Sequence, residues 1–152
     1  MAQRLSRQEF DVDVNYHRFG LQEDDDALLP VPYPDDFEYG QFLQVFPGRL
    51  DLFSAGHSHA ARLVAEVWDS RPEEVDPAHN WEVLEEASLT VPYGELAIWD
   101  TGRTEDIVNL GGGGDWGVRA ASSGRAEVAR ITEQAGTAEG VEQYLLQFWP
   151  LR

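Results

Sequence analysis

The sequence predicts an all-β protein: a single-domain antiparallel β-sandwich of about eight or nine strands with one short helix. Three observations lead there. Apolar residues recur with period two in several short runs. Clusters of Gly, Pro and Asp punctuate those runs, and one stretch alone carries a helical period. The 152 residues suit one domain, placed at 9–152 behind an N-terminal tail, 1–8.

Phe10, Val12, Val14 and Tyr16 alternate with Glu9, Asp11, Asp13 and Asn15, which gives one buried and one wet face. The apolar phase then slips to Phe19 and Leu21, so a β-bulge is expected near His17–Arg18. Residues 22–38 read as an acidic loop, because Pro30, Pro32 and Pro34 cannot donate to a ladder. Phe42–Phe46, a Pro47-Gly48 turn and Leu50–Phe53 read as a hairpin. Arg62–Trp68 is mixed on both faces and reads as a more central strand.

Val83, Ala87, Leu89 and Val91 face inward on the next strand, with Glu82, Glu86, Ser88 and Thr90 outward. Pro92-Tyr93-Gly94 turns the chain into Glu95–Trp99. Asp106–Leu110 and Trp116–Ala121 flank the Gly111–Gly114 run. A phosphate loop needs a Lys that the chain lacks, and Asp115 would repel the anion, so this run reads as a flexible hairpin connection. Gln143–Trp149 closes the chain as a strand, with Tyr144, Leu146 and Phe148 on one face. Val128, Ile131, Thr132 and Ala135 fall at i, i+3, i+4 and i+7 with Gly136 beyond them, which predicts a helix near 125–136. The expected core is Phe10, Val12, Val14, Leu63, Ala65, Val67, Leu89, Val91, Leu96, Ile98, Val118, Leu146 and Phe148.

Charge sets the partners. There are 28 Asp and Glu against 11 basic residues, all Arg, for a formal charge of −17. Residues 9–39 hold ten carboxylates against Arg18 alone, and residues 66–86 hold eight against Arg71 alone. Such a surface repels phosphate backbones and anionic lipid, and attracts a basic protein surface. No apolar run approaches the roughly 20 residues of a membrane helix. The start of the chain has no apolar signal region, and Cys is absent, which together lead us to expect a cytoplasmic protein without disulfides or thiolate chemistry.

The candidate sites are weak. His57-Ser58-His59 has a spacing that zinc sites use, but it follows Ser54-Ala55-Gly56 and reads as a solvated loop with two incidental His residues. Asp24-Asp25-Asp26 with Asp35-Asp36 lacks the ordered arrangement of a calcium loop. Ser122 and Ser123 sit outside any nucleophile elbow, and no spacing ties a Ser to a His. Trp68, Trp81, Trp99, Trp116 and Trp149 read as core or rim anchors before a ligand cleft. No catalytic residue, metal ligand or cofactor is expected.

The order of segments resembles the competence protein J family, small inhibitors of a DNA-entry nuclease. An early strand ends Asn15-Tyr16-His17-Arg18-Phe19, and an acidic loop and Arg49–Phe53 follow. Then come Leu63–Trp68 with Asp69 and Asp76, Trp81, Leu89-Thr90-Val91-Pro92-Tyr93-Gly94, and Trp116-Gly117-Val118-Arg119. Tyr16-His17-Arg18-Phe19 and Val91-Pro92-Tyr93 are its most specific points, and it spans about residues 9–121 and the last strand. The Asp24–Asp26 loop, the His57/His59 loop and Ser122–Gly140 look longer than that family's compact form. The resemblance implies a β-sandwich with an inhibitory or immunity role, and no catalytic residues.

The expectation is therefore a non-enzymatic, acidic protein-binding module for a nuclease, a toxin or another basic partner, binding neither nucleic acid nor membrane directly. The partner-facing residues would be Asp24, Asp25, Asp26, Asp35 and Asp36, joined by Glu73, Glu74 and Asp76. The alternative is a β-sandwich that binds a small ligand or metal ion through its acidic loops or a Trp-lined cleft.

Overall fold

The structure, a computed structural model, describes residues 2–24, 40–73, 79–134 and 136–151. Among these, the strands are β1 (Arg4–Val14), β2 (Arg18–Glu23), β3 (Leu43–Phe46), β4 (Arg49–Phe53), β5 (His59–Trp68), β6 (Val83–Val91), β7 (Glu95–Trp99), β8 (Arg103–Asn109), β9 (Gly114–Ser123) and β10 (Glu139–Pro150). The helix α1 (Arg125–Glu133) lies between β9 and β10. The first sheet runs β1-β5-β10-β9-β6 and the second β3-β4-β2-β7-β8. Their inner faces share one hydrophobic cluster, as an all-β sandwich requires.

Where a bulged strand was expected, there are two strands. Asn15 and Arg18 pair across a two-residue turn, in which Tyr16 and His17 have φ of 54° and 67°. The turn carries the chain from the first sheet into the second, so the slip in apolar phase marks a change of sheet. This raises the strand count to ten. Strand β1 also begins at Arg4, inside the expected tail, because β5 is long enough to pair Arg4 with Trp68.

One pairing departs from the antiparallel rule. β10 runs parallel to β5 and antiparallel to β9. The reason is the connection: α1 returns the chain at the same end where β9 stops, and β5 starts at that end too. β10 is flanked on both sides, which suits its run of Tyr144, Leu145, Leu146, Phe148 and Trp149. The Tyr144 ring stands edge-on to Phe19 at 5.0 Å and stacks with Phe42 at 6.3 Å. All the expected core residues are buried except Phe10, which is only partly covered because β1 is an edge strand.

The helix is shorter than expected, with Val128 buried and Gly136 donating its N–H to the Ile131 carbonyl at 2.9 Å. Its N-cap, Gly124, offers no side chain. Glu82 takes that part, accepting the N–H groups of Arg125 and Ala126 at 3.1 and 3.3 Å. Gln8 of β1 reaches the outer edge of β8, donating to the Ile107 carbonyl at 3.1 Å and accepting the Asn109 N–H at 3.2 Å. That bridge covers two edges that would otherwise lie open.

The chain crosses between the sheets four times, twice at each end. The turn 15–18 and the loop 54–58 cross at the His59 end. The turn 92–94 and the loop 110–113 cross at the Tyr93 end. The glycine run therefore joins β8 to β9 in different sheets and is no hairpin connection.

Candidate functional site

Of the five aspartates expected to face a partner, Asp24 lies within the described residues; Asp25, Asp26, Asp35 and Asp36 lie outside them, as do Glu74 and Asp76. Asp24 follows β2 at the Tyr93 end, its N–H on the Glu95 carbonyl at 2.7 Å. Arg103 Nε donates to Asp24 Oδ1 at 2.8 Å, and that bond holds the carboxyl below its usual range. Glu73 is exposed, and its carbonyl accepts from Arg119 at 2.8 Å. Arg119, itself 2% exposed, also donates to the Pro72 carbonyl and lies over the Trp149 ring. Residues 72 and 73 of the second acidic stretch are thus tied to Arg119 of the first sheet.

At the Tyr93 end the supporting group is a buried carboxylate. Glu23 is 3% exposed and accepts the N–H groups of Tyr93, Gly94 and Glu95 at 2.9, 3.2 and 3.3 Å. Burial raises its carboxyl, partly opposed by those three N–H groups. The Leu110 N–H bonds the Gly94 carbonyl at 2.7 Å. A Cβ on Gly94, whose φ is 81°, would stand 2.2 Å from the Gly112 carbonyl oxygen, and one on Gly113 would stand 2.0 Å from that of Pro92. The two crossovers touch backbone to backbone, which only glycine permits.

The His59 end is held by side chains. Glu142 is fully buried. Its Oε1 accepts Ser54 Oγ at 2.5 Å and Tyr144 Oη at 2.6 Å, and its Oε2 accepts the Ala55 N–H at 3.1 Å and Arg125 at 3.3 Å. Ser54 has one hydroxyl proton and gives it to Glu142, so His59 Nε2–H is the donor in the 2.7 Å contact with Ser54 Oγ. His59 Nδ1 is buried without a hydrogen-bond partner. Burial lowers the imidazole's pKa, against the attraction of Glu142. Burial beside Glu142 pushes the Tyr144 phenol well up, which keeps it a donor.

Ser, His and Glu in one network invite comparison with a nucleophilic triad. The geometry argues otherwise: Glu142 lies 3.5 Å from the same nitrogen, Nε2, that bonds Ser54, and no carboxylate bonds Nδ1. All three side chains are also sealed from solvent. The network fixes loop 54–58, which holds the strained turn through His17 N–H to the His57 carbonyl at 2.9 Å and His17 Nδ1 to the Ser54 carbonyl at 3.0 Å. His59 is thus the first residue of a strand and part of the core, which corrects its reading as a loop residue; His57 is the exposed one.

The Trp residues occupy separate places. Trp99 lines a cavity of about 120 Å³ on the outer face of the second sheet, above Gly20 and beside Asp51, which Arg18 and Arg49 clasp at 2.8 Å each. Trp116 is buried in the shared core, and Trp81 stacks on His79. Among the described residues no three His, Asp or Glu side chains gather as a metal set, and no helix is long and apolar enough to cross a membrane.

No known family model matches the chain, and no curated protein does. Its fold is shared with solved structures. The crystal structure of ComJ, inhibitor of the DNA degrading activity of NucA, from Bacillus subtilis superposes with a TM-score of 0.64 at 14% identity, covering 99% of each chain. The crocagin biosynthetic gene J protein superposes with a TM-score of 0.61 at 14% identity, covering 97% of this chain and 100% of the other. The likeness to competence protein J signalled by Tyr16–Phe19 and Val91–Tyr93 is present in the fold along the whole chain.

Proposed function

We propose that this protein is a non-enzymatic inhibitor that docks a basic protein, in the first instance a nuclease, through the acidic segment Asp24, Asp25, Asp26, Asp35 and Asp36 with Glu73, Glu74 and Asp76. The observation that carries the reading is the end-to-end likeness in fold to ComJ, an inhibitor of a DNA-degrading activity. Charge adds to it. A nuclease must present cations to DNA, and a chain of net charge −17 meets such a surface favourably. The sealed Ser54–His59–Glu142 network offers a substrate no access, in keeping with a binding role.

The test is DNA degradation by NucA with this protein titrated in, together with association kinetics against salt. The protein is expected to suppress degradation stoichiometrically. Replacing the five aspartates by Asn is expected to slow association at low salt, with the difference shrinking as ionic strength rises. An absence of inhibition at several-fold molar excess would overturn the inhibitor reading for this nuclease. An unchanged on-rate and salt dependence in the variant would remove the acidic segment from the interface.

A further inference from the structure

At the Tyr93 end an aromatic ring is displayed on a backbone that has almost no freedom. Tyr93 is 61% exposed. Its own N–H and the next two are bound by the buried Glu23 carboxylate, and the glycine loop abuts the turn on its other side. Burying a carboxylate is unfavourable unless hydrogen bonds compensate it, and here three successive N–H groups do so. The anchor fixes the backbone from which one exposed ring projects. Rigid tyrosines make effective interface anchors, because little conformational freedom is lost when they bind.

The surroundings name the partner's chemistry. Asp24 docks its backbone on Glu95, and Glu95 and Asp115 are exposed at the same end. Thr90 and the Leu151 N–H both bond Asp115, which sets Leu151, itself exposed, beside this acidic edge. An exposed aromatic at an end of the sandwich that also exposes Glu95 and Asp115 suits a cationic side chain, which gains from the ring quadrupole and from the charges together. Resting on the inhibitor reading, we propose that Tyr93 is the anchor of the interface, its ring receiving an Arg or Lys of a basic protein. The acidic segment brings the partner in, and Tyr93 holds it.

The experiment measures binding of the full chain to NucA, resolving association from dissociation, for the wild type, Tyr93→Ala, Tyr93→Phe and Asp24→Asn. Circular dichroism and urea midpoints confirm folding; the exposed ring makes Tyr93→Ala a mild change for stability. Tyr93→Ala is expected to weaken binding by about 30-fold or more, mostly through faster dissociation. Tyr93→Phe keeps the ring face and is expected to stay within about threefold of wild type. Asp24→Asn is expected to alter the association rate and its salt dependence. Wild-type binding with Tyr93→Ala unchanged would overturn the anchor and leave the inhibitor reading standing. A Tyr93→Phe loss equal to that of Tyr93→Ala would overturn the ring–cation contact. No binding by the wild type would overturn the inhibitor reading for this nuclease, and the anchor with it.

Discussion

At the Tyr93 end two crossovers lie backbone against backbone, with Gly94 and Gly113 bare where a Cβ would collide, and Glu23 satisfies three N–H groups in a row. At the His59 end the corresponding turn has no glycine. Tyr16 and His17 both take positive φ, an arrangement that costs about 1 kcal/mol or more per residue. Side chains hold it in place: Ser54, His59, Glu142, Tyr144 and Arg125 brace the neighbouring loop. Each end thus locks two crossovers with one buried carboxylate. The first lock depends on the absence of side chains. The second depends on their presence and protonation, so the ends should fail in different ways.

The largest difference is expected from removing the two carboxylates. Glu142→Ala leaves the Tyr144 hydroxyl and Ser54 without their acceptor in a sealed site and removes the ion-pair partner of Arg125, which should cost about 3–5 kcal/mol of unfolding free energy. Glu23→Ala strands backbone N–H groups of a turn at the surface, where water can replace part of the loss, and about 1–3 kcal/mol is expected. Urea unfolding of both variants checks the order. A reversed order would show that the Glu23 lock carries more of the fold than the surface position of the turn it supports implies.

Neighbouring glycines give the next test. Gly113→Ala drives a Cβ to 2.0 Å from the Pro92 carbonyl oxygen, so one crossover must move. A loss of about 1–3 kcal/mol is expected. Gly112 has open space where its Cβ would stand and a φ outside the left-handed region. Gly112→Ala should therefore be neutral, or stabilising by up to about 1 kcal/mol through the unfolded chain. Thermal unfolding of the two variants side by side decides it. Equal effects would mean that the loop yields, and that the turn under Tyr93 is less fixed than its contacts suggest.

The sandwich was legible where a strand buries one face: Val12 and Val14, Leu63 to Val67, and Leu89 and Val91 alternate as period two demands. The change of sheet at Tyr16-His17 was hidden because its residues are not turn formers; the tertiary contacts of His17 impose the conformation. Order along the chain could not show that β10 inserts beside β5. Ser54 and Glu142 come together from positions 88 residues apart, and no local spacing signals that. The glycine run was visible, but its packing against Pro92 was not. Glu23 read as one more acid in an acidic stretch, although Pro92-Tyr93-Gly94, the segment it supports, carried the likeness to competence protein J.

Acidification should separate the two ends with a smaller effect of opposite sign. The folded pKa of His59 lies below 6.5, chiefly through burial. Its contribution to stability is therefore complete above pH 6.5 and is lost as pH falls from there toward the folded value. The physical cost is a positive charge created on a ring that is sealed from solvent. Glu142 from β10 and the Ala60 backbone oppose that cost, while His17 from the turn adds to it; Arg125 from α1 and the Tyr144 hydroxyl bond the same carboxylate. Glu23 behaves in the reverse way. Its folded pKa lies above 4.5, so its contribution is complete below pH 4.5, is lost as pH rises through the folded value, and returns on acidification. Hydrogen exchange between pH 7.5 and 5, corrected for intrinsic rates, should show the amides of Ala55, Gly56 and His17 opening as pH falls. Those of Tyr93, Gly94 and Glu95 should hold or tighten. His59→Gln keeps an N–H for Ser54 and removes the titration, so it should abolish the pH dependence at its own end alone. A dependence that survives His59→Gln would assign the acid sensitivity of that end to another group.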